Sequence, residues 1–345
     1  MNQLRIASLS AAAALGGCLL VASAQAQTTL RFNNWLPPTH SHLVGVINPW
    51  IEQVEEATGG RVQIELTDSS LGAPPRQFDL VAEGIVDVAL GIVGYTPGRF
   101  KVMHITDLPL ISDSGEARSV ATWRVYNEHL KPVGEFDDVV LMSVYASTPG
   151  SILTRDDPIT DIESYAGMKL RTGGGMMEDI NQALGGVNVS APAGQIYELV
   201  SSGVADGALM GGEGYDSFKL EGLINYATVV PGGLYSAGWY IIMNKDAWAK
   251  ISPEDQEAIM SVSGEQLARL AGAAFDAAEE AGQANWEKDG VQVTVADEKF
   301  MEEVRARAQP LLDGWVAAAN AEGVDGEAAL AMYREEVKKF EMENN

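Results

Sequence analysis

The feature that most constrains this fold is a weak internal repeat. Phe78-Asp79-Leu80-Val81 with Gly84, Asp87, Ala89 and Leu90 is echoed by Tyr197-Glu198-Leu199-Val200 with Gly203, Asp206, Ala208 and Leu209, each matched pair 119 residues apart. Each copy reads as a helix closed by a glycine able to take the left-handed cap conformation, then a short apolar strand. Two copies of one unit predict two lobes of similar construction. Ligands of open α/β sheets bind beyond the carboxyl ends of the strands. The residues just after these strands, Gly91 to Tyr95 and Met210 to Glu213, are therefore expected to line a cleft between the lobes.

The rest of the chain suits an α/β architecture. Thr29-Leu30-Arg31-Phe32 reads as a first strand, a helix is expected from about Ser41 to Thr58, and Val62 to Leu66 alternates as a second strand. Lys169-Leu170-Arg171 reads as a strand running into Gly173-Gly174-Gly175 and a helix from Met176 to Leu184. Ser252-Pro253-Glu254-Asp255 is a strong helix start. The pattern after it persists to Asp289-Gly290, predicting a helix of about 54 Å at 1.5 Å per residue that serves both lobes as a spine. Gly264 and Gly272 are the places where it could kink.

The first residues point to export. Arg5 precedes an apolar run from Ile6 to Val21, and Ala24-Gln25-Ala26 offers small residues for cleavage, so residues 1–26 read as a signal peptide. Leu15-Gly16-Gly17-Cys18 raises the alternative of lipid attachment at Cys18, against which stand the apolar Leu19-Leu20-Val21 that follow. Cleavage after Ala26 removes the single cysteine and leaves 22 basic side chains against 48 acidic ones, a formal charge of −26. Such a surface favours solubility and makes nucleic acid or anionic lipid a poor partner. A periplasmic location follows.

Enzyme signatures are missing. The chain has four histidines and no His-Glu-x-x-His, Gly-x-Ser-x-Gly or Walker sequence, and the Gly173-Gly174-Gly175 run lacks dinucleotide spacing. His40-Ser41-His42 sets two histidines on diverging sides of a helix, so no metal is expected there. Neither a cofactor nor catalysis is expected, although a secreted lyase or hydrolase is kept as a rival reading.

The order of segments resembles the solute-binding subunits of tripartite ATP-independent periplasmic (TRAP) transporters, the DctP family. The resemblance lies in Gly167-Met168-Lys169-Leu170-Arg171, in Ile196-Tyr197-Glu198-Leu199 through Ala205-Asp206-Gly207-Ala208, and in Ile242-Met243-Asn244 before the long helix. Phe32 to His40 and Tyr95 to Phe100 are similar to one branch of that family. The resemblance implies a two-lobed periplasmic binding protein fold with crossing strands and a long helix. It also implies TRAP membrane subunits driven by an ion gradient as partners. Lobe boundaries are then expected at 27–150 and 151–238, with 239–345 shared between them.

Arg171 is the strongest ligand-binding candidate, because its planar fork of donors matches a carboxylate and a closed cleft strengthens the pairing. Its alternative is a structural arginine paired with a protein acid. Glu213 is expected at the same cleft, where it would pair with Arg171, accept a ligand hydroxyl or meet a ligand amine; the family often has asparagine near this point. Trp35 and Tyr95 are expected to pack on the ligand and Asn34 to hydrogen-bond it, with Met210 beside them and Tyr235 and Trp239 contributed by the crossing segment. The ligand expected on these grounds is a small organic acid, with a small amine or zwitterion as the alternative through Glu213.

Overall fold

The computed structural model describes residues 27–344. The leader and Cys18 lie outside the described residues. Two sheets organise the chain. The first contains β1 (Thr28–Asn33), β2 (Val62–Leu66), β3 (Val88–Ile92), β4 (Val140–Ala146) and β10 (Gly238–Met243), in the order β2-β1-β3-β10-β4. The second contains β5 (Ser151–Thr154), β6 (Lys169–Thr172), β7 (Val187–Ser190), β8 (Gly207–Met210), β9 (Tyr226–Val229) and β11 (Gln292–Val295), in the order β11-β9-β5-β8-β6-β7. Both mix parallel pairs, such as β1 with β2 and β6 with β8, with an inserted antiparallel strand, β10 in the first and β5 in the second.

The repeat is preserved in three dimensions. Helix Gln77–Ala82 leads to β3 and helix Ile196–Ser201 to β8 with the 119-residue offset intact. Gly84 and Gly203 close the two helices at φ of 71° and 76°. Its aspartates have a shared reason. Asp87 accepts the Arg31 amide and Asp206 the Lys169 amide, each at 2.8 Å, so each clamps the start of its own strand to the neighbouring one. Beyond the aspartates the strands are wholly apolar and buried at Ala89, Leu90, Ala208 and Leu209, as strands covered on both faces must be.

The lobes are joined where β4 passes to β5 and β9 to β10. These two passages pair with one another: the Ser147 amide donates to the Ala237 carbonyl at 2.9 Å, and the Gly150 amide to Tyr235 at 3.1 Å. The predicted long helix is present as two segments, Pro253–Ser261 and Gly264–Asp289, which meet at Gly264, one of the two expected kink sites. Gly264 adopts φ of 57°, a turn that breaks the helical path, and a side chain there would strike the Trp123 ring. The second helix has 26 residues, about 39 Å, and still reaches both lobes. Gly272 meets the backbone of Gly115 and Glu116 in the first lobe, and Gly282 that of Gly212 in the second. A Cβ at Gly282 would lie 2.0 Å from the Gly212 carbonyl oxygen, so glycine alone permits the contact. No helix among the described residues is long and apolar enough to cross a membrane.

Candidate functional site

A cavity of about 80 Å³ lies between the lobes, beyond the carboxyl ends of β3, β6 and β8. A water needs roughly 10–15 Å³ on the same measure, so the space suits a small organic molecule. Arg171 at the end of β6, Tyr95 after β3, Trp35 after β1, and Met210 and Glu213 after β8 all line it, as do Tyr235 and Trp239 of the second passage. Asn34 does not. Its amide nitrogen donates to the Leu36 carbonyl and its carbonyl oxygen accepts the Leu36 amide, each at 3.0 Å, which turns the side chain onto its own loop.

Arg171 is only 2% exposed. Its Nε donates to the Ala191 carbonyl at 2.8 Å and one Nη to the Tyr95 hydroxyl at 3.2 Å. It forms no ion pair among the described residues, which removes the protein acid of the structural alternative. Burying a lone charge costs several kcal/mol unless a counter-charge arrives. Two neutral acceptors satisfy only part of the guanidinium fork, and its other Nη makes no hydrogen bond among the described residues. Tyr95 also accepts the Ala193 amide at 2.9 Å. The first-lobe tyrosine thus seats the second-lobe arginine. The nearby Tyr235 hydroxyl makes no hydrogen bond among the described residues; burial raises its pKa against the opposing pull of Arg171. It stays protonated and able to donate.

Aromatic rings form the walls. Trp35 and Trp239 stack at 6.0 Å with planes 8° apart, Tyr95 tilts against Trp35 at 6.0 Å, and Phe275 of the long helix packs on Trp239 at 5.6 Å. The Trp35 indole N–H is anchored on the Leu90 carbonyl at 3.1 Å. Such a wall favours a flat apolar body, each well-placed ring pair adding about 0.5–1.5 kcal/mol.

Away from Arg171 stands a second polar group. Glu213 accepts the Ser217 hydroxyl at 2.9 Å and that of Ser41 from the opposite lobe through the same oxygen, Oε1. His40 Nδ1 lies 3.5 Å from that oxygen. Burial lowers the His40 pKa more than Glu213 raises it. Nδ1 accepts the His42 amide at 3.1 Å, so the ring is neutral with its hydrogen on Nε2.

Residues that sequence reasoning missed include Glu279 and Phe275 of the long helix, Met177, and Asp107. Glu279 is one acid in an acidic chain and had no distinguishing signal. Asp107 bonds the Gly238 amide at 2.8 Å and His104 Nδ1 at 2.8 Å, a junction assembled only by the tertiary fold.

The profile of Bacterial extracellular solute-binding protein, family 7 (DctP), matches residues 32–318. A crystal structure of a TRAP periplasmic solute-binding protein from Bordetella bronchiseptica, with bound (R)- and (S)-mandelate, superposes with a TM-score of 0.89 at 39% identity over 91% of this chain and 99% of that one. A marine metagenome TRAP solute-binding protein specific for aromatic acid ligands, in complex with metahydroxyphenylacetate, gives 0.85 at 28% over 91% and 99%. The outer membrane transporter protein TsaT of Comamonas testosteroni is 31% identical over 93% of this chain and 95% of its own length. Two lobes, crossing strands and an interlobe cavity agree with this match: the chain belongs to the DctP family of bacterial extracellular solute-binding proteins.

Proposed function

We propose that this protein captures an aromatic carboxylate between its lobes outside the cytoplasmic membrane and delivers it to TRAP membrane subunits. The observation that carries the proposal is the buried Arg171 guanidinium without a protein acid beside a wall of stacked indoles. The mandelate and aromatic-acid complexes of the two structural relatives support the same ligand class.

Closure and binding are coupled by electrostatics. Closing an empty cleft takes Arg171 out of water uncompensated, whereas closing on a carboxylate forms a charge-assisted pair in a dry site. The ligand therefore shifts the population toward the closed form. The closed form is what the membrane partner reads. On this reading the cavity binds and releases its ligand chemically unchanged, the leader directs the chain to the periplasm, and Cys18 is removed with it. The amine alternative would use the unbonded Oε2 of Glu213 but would leave the buried Arg171 charge without a partner. Calorimetric titration with benzoate, phenylacetate and mandelate against aliphatic acids and small amines tests the assignment. Absence of binding by every aromatic acid, or binding that survives Arg171→Met undiminished, would sink it.

A further inference from the structure

Glu213 spends only one carboxylate oxygen on the protein. Oε1 receives the Ser41 and Ser217 hydroxyls, and Oε2 receives no hydrogen bond among the described residues although the side chain is only 12% exposed. Beside it, His40 is 1% exposed, holds its Nδ1 as an acceptor, and has no protein partner for Nε2 among the described residues. Both side chains line the ligand cavity. Phe218 and Trp239 fix the imidazole edge-on, at 5.3 Å and 6.4 Å between centroids. A carboxylate oxygen without a donor and a ring N–H without an acceptor thus belong to two neighbouring, largely buried side chains of the cavity wall.

We propose that His40 and Glu213 form a hydroxyl-reading pair that selects aromatic acids bearing an O–H group over their unsubstituted parents. The proposal rests on the carboxylate reading of Arg171. A hydroxyl is both donor and acceptor: its hydrogen goes to Glu213 Oε2 and its oxygen accepts from His40 Nε2. An ammonium group satisfies Glu213 but has no lone pair for the histidine, and an unsubstituted ring leaves both groups dry and unpaired. Sites built to bond a hydroxyl reject the analogue lacking it for this reason.

Affinities of benzoate, 3-hydroxybenzoate and 4-hydroxybenzoate, and of phenylacetate, its ring-hydroxylated forms and mandelate, are to be measured by calorimetry on the purified protein. At least one hydroxylated acid is expected to bind roughly 10- to 100-fold more tightly than its parent, as for a hydrogen bond to a charged acceptor. Glu213→Gln should collapse that ratio. Ser41→Ala, which breaks the interlobe contact while leaving the Glu213 carboxylate, should weaken parent and hydroxylated acids alike. Three results overturn the proposal: parent acids binding as tightly as every hydroxylated form, a ratio unchanged in a folded Glu213→Gln protein, or L-phenylalanine binding more tightly than the hydroxy acids. The first leaves the carboxylate reading intact and needs no variant. Failure of all the acids to bind removes both readings.

Discussion

Asp276 and Glu279 stand three residues apart on the long helix, and each accepts the free amides at the start of a helix in a different lobe. Asp276 takes the Gly115 and Glu116 amides at 2.6 Å and 3.0 Å, at the start of Gly115–Val125. Glu279 takes those of Gly212 and Glu213 at 2.9 Å and 3.1 Å, at the start of Gly212–Ser217. One helical turn thus supplies anchors to both lobes, each carboxylate favoured by the positive end of the helix it meets. The Glu279 anchor also holds the backbone that carries Glu213 into the cavity.

Replacing Glu279 with alanine leaves those two amides buried without an acceptor, at about 1–3 kcal/mol each. The variant should melt at lower temperature than the wild type. Burial raises the Glu279 pKa above its ordinary 4.5, more than its hydrogen bonds lower it. Between those two values the folded state therefore holds more protons than the unfolded one, and the carboxyl's contribution to stability falls as pH rises through the interval. The wild-type advantage over Glu279→Ala should be largest below pH 4.5 and shrink above it. A melting-temperature difference that grows with pH in this range contradicts the assignment.

Arg171→Met tests the carboxylate contact. The substitution removes an uncompensated buried charge, so the ligand-free protein should be no less stable than the wild type. Binding of an aromatic acid should weaken by about 2–5 kcal/mol, and the thermal shift the acid produces should vanish. Loss of stability without loss of affinity would make the arginine structural.

The architecture was legible where a local signal and the tertiary fold agree. The copies around Gly84 and Gly203 state the helix, its cap and its strand in neighbouring residues, and the sheets preserve them. Arg171 was legible because it ends a strand, and strand ends face the cleft. Asn34 follows a strand as Trp35 does, but its side chain closes on Leu36, a local bond that competes with any ligand. Gly264 was legible as a possible kink, but the Trp123 ring that leaves no room for a side chain there is distant in sequence. Glu279 and the His40 tautomer belong to the same class: each is defined by partners that composition cannot place.

His104 gives the closed form a predicted pH dependence. Its ring lies against Gly175 at the start of Met176–Ala183 in the other lobe, and its Nδ1 bonds Asp107 at 2.8 Å. Burial pulls its pKa down, but the bond and charge of Asp107, with Glu135 and Asp179, outweigh this and raise it above 6.5. The protonated ring therefore stabilises the fold fully below pH 6.5, and that contribution is lost as pH rises through the raised value. Melting curves of wild type and His104→Gln between pH 6 and 9 should converge toward the alkaline end. A constant difference would mean that the ring acts by shape alone.

Closure itself is limited by backbone. Gly94 of the first lobe and Gly174 of the second meet so closely that a Cβ on Gly174 would lie 2.4 Å from the Gly94 carbonyl oxygen. Neither partner is a flexible side-chain tip, so Gly174→Ala can be accommodated only by holding the lobes apart or shifting the loop that follows Arg171. Gly174 also has φ of 89°, and a side chain there costs about 1–2 kcal/mol in the open and closed forms alike. That local strain cancels from the binding equilibrium, whereas the steric block does not. The variant should therefore keep wild-type dimensions in small-angle scattering without ligand, fail to compact fully when an aromatic acid is added, and bind it at least roughly tenfold more weakly, about 1.4 kcal/mol. Gly94→Ala, whose Cβ would sit 3.2 Å from the Gly174 carbonyl oxygen, should show the same defect in milder form. Full compaction and unchanged affinity in Gly174→Ala would show that the lobes seat the ligand without this contact, and Tyr95 on Arg171 and Ala193 would then be the contact that sets the closed angle.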